Sequence, residues 1–224
     1  MASFEQHLNS AVVATGVAIA PLYSSNLIDM DQALGLLVFG IFGGVLPDID
    51  SENSKPLQVC FKILSIFLPL VAILTLLDSL SISKMLAIWG VSSLLLHFII
   101  FRLFINITSH RGIFHSIPMG LLYSLGIYFI FSKLLEFDML YSMLCGIFLF
   151  LGYIVHLLLD ELVSLNALGI SIKKSFGTAL KLYDKNNLIG TIVVYSLIIV
   201  FLFITPIQID DVTKIVDSFH NIKF

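Results

Sequence analysis

Long apolar segments recur along this chain, and they constrain its fold more than any other feature. A helix that crosses the hydrocarbon core of a bilayer needs about 20 apolar residues, with a range of about 17 to 25. Because backbone polar groups must be satisfied within lipid, such segments fold as helices. We predict an all-α, polytopic transmembrane helical bundle with about five to seven membrane helices, drawn from residues 6–23, 32–46, 58–77, 85–105, 114–132, 139–160 and 188–206.

The first two segments are the weakest candidates. Residues 6–23 are rich in Ala and Gly, and residues 32–46 are short and followed by Pro47, which ends a helix. The alternative for each is a half-buried or re-entrant helix. The composition still requires a membrane protein, because 58% of the residues are hydrophobic and only 12% are charged, whereas a soluble domain is about 25% charged. We divide the chain into a membrane core, residues 1–187, and a last membrane helix with a polar tail, residues 188–224.

The distribution of basic residues predicts the orientation. With seven spans, the N-terminus and loops 47–62, 102–113 and 161–187 share one face of the membrane. That face carries eight Lys and Arg residues and the opposite face four, so the positive-inside rule places the first face in the cytoplasm. A net charge of −3 gives no indication of nucleic acid as a partner. The expected partners are membrane lipids, and the sequence does not indicate an oligomeric state.

Two ionisable residues lie at the end of the sixth apolar segment, in the stretch GYIVHLLLDE, residues 152–161. His156 and Asp160 are four residues apart, so they share one face of a helix. Ionisable groups at membrane depth are costly and mark functional sites. Either both bind one metal, or Asp160 orients the imidazole from behind. The alternative is a hydrogen bond at a helix end near water.

Other ligand-type residues fall on the same predicted face. Asp48 and Asp50 follow the second segment, and His7 begins the first. If Pro47 holds the chain extended, Asp48 and Asp50 point the same way and can bind one hard cation or bridge two. The alternative is a turn capped by Asp48 with solvated neighbours. The alternative for His7, a lone histidine near the start of the chain, is a solvated side chain that binds no metal.

The stretch HRGIFHS brackets the start of the fifth segment. Gly112 offers a break, so His110 can lie in the loop and His115 in the first helical turn. Arg111 can clamp an anion, because its planar guanidinium suits phosphate. The alternative is a pair of interfacial histidines beside an ordinary cytoplasmic arginine. His97, deep in the fourth segment, has no partner at helical spacing and is interpreted as structural.

Residues 173–184, KKSFGTALKLYD, place Phe176, Leu180 and Tyr183 at helical spacing with lysines on other faces. This pattern predicts a helix lying at the cytoplasmic interface. The alternative is that Lys173, Lys174 and Lys181 receive an anionic headgroup.

Taken together, GVLPDIDSENS, HRGIFHS and GYIVHLLLDELVS resemble the YdjM-like family of membrane-bound, metal-dependent hydrolases. The family pattern is an early histidine, then LPDID, HRG-x-x-HS and GY-x-x-H-x-x-x-D, and all four occur here in order over roughly residues 4–185. One departure is Ile113-Phe114, where a Thr commonly precedes the second histidine, which removes a hydroxyl and no ligand. The resemblance implies metal-site positions at His7, Asp48, Asp50, His110, His115, His156 and Asp160.

We therefore expect a metal-dependent hydrolase of the inner or cytoplasmic membrane, with its site facing the cytoplasm. His and carboxylate together are a usual ligand set for zinc, so we expect one or two zinc ions. Asp50 would act as general base instead of ligand, and Arg111 would steady an anionic leaving group. The depth of the site favours a lipid-like or phosphoester substrate. The alternatives are a transporter or channel for a metal or proton, and a structural membrane protein without catalysis.

Overall fold

A computed structural model describes residues 3–50, 62, 65–66, 69–70, 73, 81–100, 113–164, 180–185, 187–205 and 207–220. The chain divides into two units. The main unit comprises Met1–Pro47 and Ile113–Phe224, and the inserted unit comprises Asp48–Gly112. The regular structure of the described residues is helical, which confirms the predicted all-α class.

Seven α-helices follow one another along the described residues, and α3 alone belongs to the inserted unit. They are α1 (Phe4–Ser24), α2 (Met30–Val45), α3 (Ile82–Leu94), α4 (Ile117–Phe129), α5 (Met139–Ser164), α6 (Leu188–Ile204) and α7 (Ile209–His220). A 3₁₀-helix, Leu46–Asp50, follows α2 directly. Short π-helices extend α3 over Leu95–Ile100 and α4 over Ile130–Leu134.

Capping boxes begin the first two helices. At α1 the Ser3 hydroxyl accepts a hydrogen bond from the Gln6 amide at 3.3 Å, and the Gln6 side chain accepts one from the Ser3 amide at 2.7 Å. Asp29 and Gln32 repeat this arrangement at α2, at 2.8 and 3.0 Å. Both caps satisfy backbone N–H groups that a helix start leaves without partners. The first cap fixes His7 in the opening turns of α1.

Helix α5 is the central helix of the main unit, and its candidate membrane span is the most buried of the four among the described residues. It packs against α1, α2 and α4. The core beside it contains Leu36 from α2 and Leu144 and Phe148 from α5, all at most 3% exposed. A second cluster joins α4 to α6 through Leu125, Val194 and Ile198.

Glycine residues let α2 and α5 approach each other closely. A Cβ atom on Gly152 would lie 1.8 Å from the carbonyl oxygen of Gly40, and one on Gly43 would lie 2.0 Å from the carbonyl oxygen of Leu149. Neither position has room for a side chain. Small residues of this kind allow backbone contact between membrane helices.

The structure contains four helices long and apolar enough to span a membrane among the described residues. They are Met30–Asp48, Ile82–Ile99, Ile117–Leu134 and Met139–Val163, and α6 with α7 gives a fifth if this pair, bent by 98°, is one span. An integral membrane protein is thus confirmed. Residues 6–23 do form α1, but this Ala- and Gly-rich helix is not among the candidate spans. Most of segment 58–77 lies outside the described residues, and the division at residue 187 stays a prediction.

Three local predictions need correction. The chain after Pro47 is a 3₁₀-helix and not extended, since the fixed φ of proline suits that helix as well. His115 lies two residues before α4 and not in its first turn. Residues 180–184 are not helical, because Lys181 pairs its backbone with Ser116 in a parallel bridge.

Candidate metal centre

Three ligand-type side chains of the main unit meet where α1 begins and α5 ends. His7, His156 and Asp160 each offer one ligand atom, and these atoms lie within 4.8 Å of one another. The three residues are 2%, 0% and 7% exposed. A buried group of two imidazoles and one carboxylate is a chemically sound metal site, because each ligand type binds zinc and related divalent ions.

The separations within the cluster suit one ion. His7 Nε2 lies 3.4 Å from Asp160 Oδ1. Two ligands that each lie about 2.0–2.2 Å from a tetrahedral zinc are about 3.4 Å apart. His7 Nδ1 is also buried and has no hydrogen-bond partner among the described residues. The separation between Nε2 and Oδ1 therefore fits two ligands of one shared cation.

A backbone hydrogen bond fixes the tautomer of His156. Its Nδ1 lies 2.7 Å from the carbonyl oxygen of Gly44. A carbonyl oxygen can only accept, so Nδ1 carries the hydrogen and Nε2 carries the lone pair. A histidine ligand commonly donates its other N–H to such a carbonyl, which orients the ring and makes it a better ligand. The bond therefore prepares Nε2 of His156 for a metal.

Close helix packing supplies that carbonyl. A Cβ atom on Gly44 would lie 2.5 Å from Cβ of Ala11, which is 0% exposed. Ala11 follows His7 by one turn on α1, so the same contact holds α1, and with it His7, against the end of α2. Gly152, one turn before His156 on α5, contacts the backbone of Gly40 and Gly44. Small residues thus bring all three helices to the cluster.

A third histidine lies beside the cluster. His115 is 2% exposed, and its ring centroid is 5.6 Å from that of His156. The hydroxyl of Tyr153, on α5, donates a hydrogen bond to the carbonyl oxygen of Phe114, and Tyr153 itself is 0% exposed. This bond anchors the backbone immediately before His115. The predicted histidines from α1, α5 and the start of α4 therefore share one buried region.

A short segment, residues 180–184, which we call the strap, pairs with the residues that follow His115. The Ile117 amide donates to the Lys181 carbonyl oxygen at 3.1 Å. The Tyr195 hydroxyl donates to the Leu182 carbonyl at 3.0 Å, and the Asp184 amide donates to Thr191 Oγ1 at 3.1 Å. The strap is thus held by α4 on one side and α6 on the other. These contacts explain why its helical periodicity does not produce a helix.

The other predicted site residues belong to the inserted unit. Asp48 and Asp50 lie in the 3₁₀-helix Leu46–Asp50, at the start of the inserted unit. His110 and Arg111 fall outside the described residues. His97 lies in the π-helix of the inserted unit and its ring contacts Phe98 edge-on, with centroids 4.8 Å apart. The catalytic assignments of Asp50 and Arg111 therefore stay predictions.

Two residues that position the site, Gly44 and Tyr153, were not assigned that role from the sequence. The Gly44 carbonyl acts through its backbone, which leaves no trace in residue type. Tyr153 is visible in the GY-x-x-H pattern, and its position three residues before His156 was a usable signal, since both lie on nearly the same face of a helix.

Comparisons with known proteins give a match at the level of the family. None of the curated proteins matches the chain, and none of the solved structures matches it. The family model described as YdjM inner membrane protein matches residues 1–209. The chain therefore belongs to the YdjM inner membrane protein family.

Proposed function

We propose that this protein is a membrane-embedded metal-dependent hydrolase whose zinc site lies near the cytoplasmic face. The observation that carries the proposal is the convergence of His7, His156 and Asp160, whose ligand atoms lie within 4.8 Å of one another in a buried site. A divalent metal held there would supply Lewis acidity and would lower the pKa of a coordinated water to about 7. His115, whose ring centroid is 5.6 Å from that of His156, would act as a further ligand or as a proton acceptor.

Each residue of the site has a separate role in this proposal. His156 presents Nε2 because Gly44 holds its other nitrogen at 2.7 Å. Asp160 brings negative charge into a buried site, which offsets the charge of a cation. The sequence assigns the remaining positions: Asp48 and His110 as further ligands, Asp50 as general base and Arg111 as the group that steadies an anionic leaving group.

The depth of the cluster supports a lipid-like or phosphoester substrate. The span Met139–Val163 has 25 residues, so it is about 37 Å long, against about 30 Å for the hydrocarbon core. Asp160 is three residues, about 4.5 Å, from its end. That level corresponds to the boundary between headgroups and acyl chains, where the ester and phosphodiester bonds of a lipid lie.

The proposal is tested by assaying the purified, zinc-supplemented protein in vesicles of phosphatidylglycerol and phosphatidylcholine, with bis-p-nitrophenyl phosphate as a soluble probe. Release of phosphorylated headgroup or nitrophenol is expected from the wild type. His7→Ala should lower the rate about a hundredfold, and His97→Ala, outside the cluster, should not. Equal rates in all three proteins, or no product from any, would contradict a hydrolase.

The same variants address the main alternative. Uptake of zinc into vesicles that is abolished by His97→Ala, without any hydrolysis, would favour transport, since a pathway needs polar groups through the bilayer depth.

A further inference from the structure

The polar tail of the chain contains an amphipathic helix, α7 (Ile209–His220), that differs from every membrane span. It follows the apolar helix α6, and the two axes meet at 98°. The 17 residues of α6 are just enough to cross the bilayer, so a helix at a right angle to α6 runs along the membrane plane. Ile215 of α7 packs against the core cluster that includes Leu22 and Ile28, at the end of α1.

Helix α7 therefore lies at the membrane face opposite the candidate metal centre. His7 is at the start of α1, and Leu22 is fifteen residues further along that helix, a rise of about 22 Å. This distance is most of the hydrocarbon thickness of about 30 Å.

The side chains of α7 divide into three faces. Asp211, Ile215 and Ser218 form the protein-facing side, where Asp211 and Ser218 are 6% and 4% exposed. The outer apolar stripe is exposed by 40–78% and consists of Ile209, Val212, Val216 and Phe219. The third face is polar and exposed, and it consists of Asp210, Thr213, Lys214 and Asp217. At 100° per residue, the centres of the three faces are about 110–130° apart.

Three faces at these angles match three environments: protein on one side, lipid below and water above. We propose that α7 lies flat in the membrane interface, with its outer apolar stripe inserted among the acyl chains of the leaflet opposite the metal centre. Amphipathic helices bind membranes in this way, with the apolar face about 5–10 Å below the headgroup boundary. The preceding helix is continuous with this surface, since Phe203 and Ile204 at its end are 84% and 47% exposed.

The charge of α7 identifies the force that holds it. The helix carries three aspartates and one lysine, and Lys214 pairs with Asp211 at 2.9 Å. Helices that bind anionic lipid carry basic residues on their polar face, and this one is acidic. Apolar insertion therefore holds α7, and high salt should not release it.

The test uses two tryptophan variants that differ only in the face they report. The chain has one tryptophan, so Trp89→Phe provides the background. Phe219→Trp reports the stripe and Asp217→Trp, two residues away and nearly opposite on the helix, reports the polar face. Each full-length protein is placed in phosphatidylcholine vesicles with and without brominated acyl chains, which quench tryptophan in contact with them.

We expect strong quenching for Phe219→Trp and weak quenching for Asp217→Trp, in both low and high salt. Equal strong quenching would show that α7 is immersed as part of a span and would overturn the proposal. Weak quenching at both positions would show that another protein surface or water covers the stripe and would also overturn it. Loss of quenching in high salt would show that charge, and not apolar insertion, holds α7 at the membrane. Should Trp89→Phe reduce the yield of folded protein, the same pair is read as a difference from the parent that retains Trp89.

Discussion

The imidazole rings of His7 and His156 stack, with their centroids 3.6 Å apart and their planes at 11°. One residue begins the first helix and the other lies near the end of the fifth, so α1 and α5 run in opposite directions where they meet. The stack brings one imidazole from each helix to the same place, and imidazole is a common metal ligand in proteins.

Asp160 and Glu161 are adjacent acids, and we expect only the substitution of Asp160 to weaken zinc binding. Asp160→Asn keeps the size of the side chain but weakens the anionic ligand 3.4 Å from His7, so zinc affinity should fall about 100-fold. Glu161→Gln, at an equally buried position, should leave affinity within a few-fold of wild type. Competition with a fluorescent chelator measures both, and the reverse order would exclude Asp160 from the site.

The close approach of α2 and α5 gives a second prediction. Gly152→Ala places a methyl group against the carbonyl oxygen of Gly40, so the helices must separate and stability should fall by about 1–3 kcal/mol. Gly126→Ala, where nothing lies within 4 Å, should be neutral or stabilising by about 0.5–1 kcal/mol. Denaturation in detergent compares the two. Because Gly152 also holds the helix that carries His156, only the first variant should lose zinc affinity. Equal stability of both variants would argue against this helix contact.

Sequence reasoning predicted the helical membrane class and the shared helix face of His156 and Asp160 on α5, because hydropathy and an i, i+4 spacing are local properties. It also placed His7 and His115 on the same face as that pair, and the structure brings their rings to His156. The role of Gly44 could not be predicted, since any residue type has a carbonyl group. Its position depends on contacts among three helices.

The differences from prediction arise where tertiary contacts compete with local pattern. The periodicity of residues 173–184 indicated a helix, yet backbone bonds from Lys181 to the start of α4 hold its described end in another conformation. Conversely, the tail was interpreted only as polar, although Ile209, Val212, Val216 and Phe219 recur at helical spacing and predict α7. The prediction of about five to seven spans meets the four, or five if α6 and α7 form one span, that the described residues contain.

Removal of a single hydroxyl tests how the backbone before His115 is positioned. Tyr153→Phe leaves the Phe114 carbonyl without the bond that it accepts from this tyrosine, so we expect a loss of about 1 kcal/mol of stability. Zinc affinity should fall about tenfold, as for other groups that orient ligands. Tyr23→Phe removes a hydroxyl from a residue that is 45% exposed at the other end of α1 and should change neither quantity. If both variants behave as wild type, Tyr153 has no role in the centre.

The cytoplasmic placement of the centre is tested at the N-terminus. Because His7 lies in the cluster with Asp160, the first residues and the metal centre share one membrane face. Green fluorescent protein fused before residue 1 should fluoresce in cells, and alkaline phosphatase fused there should be inactive, because the first folds in the cytoplasm and the second only outside it. An inactive fluorescent protein with an active phosphatase would place the centre on the outer face.

Metal content is the most direct test of the shared cation. The wild type, His156→Ala and His97→Ala are purified without chelator, and each is measured by inductively coupled plasma mass spectrometry together with protein concentration. We predict about one or two zinc ions per chain in the wild type and in His97→Ala, and less than about a tenth of that in His156→Ala. Equal zinc in all three proteins, or no divalent metal in a folded wild type, would contradict a metal centre built on His7, His156 and Asp160.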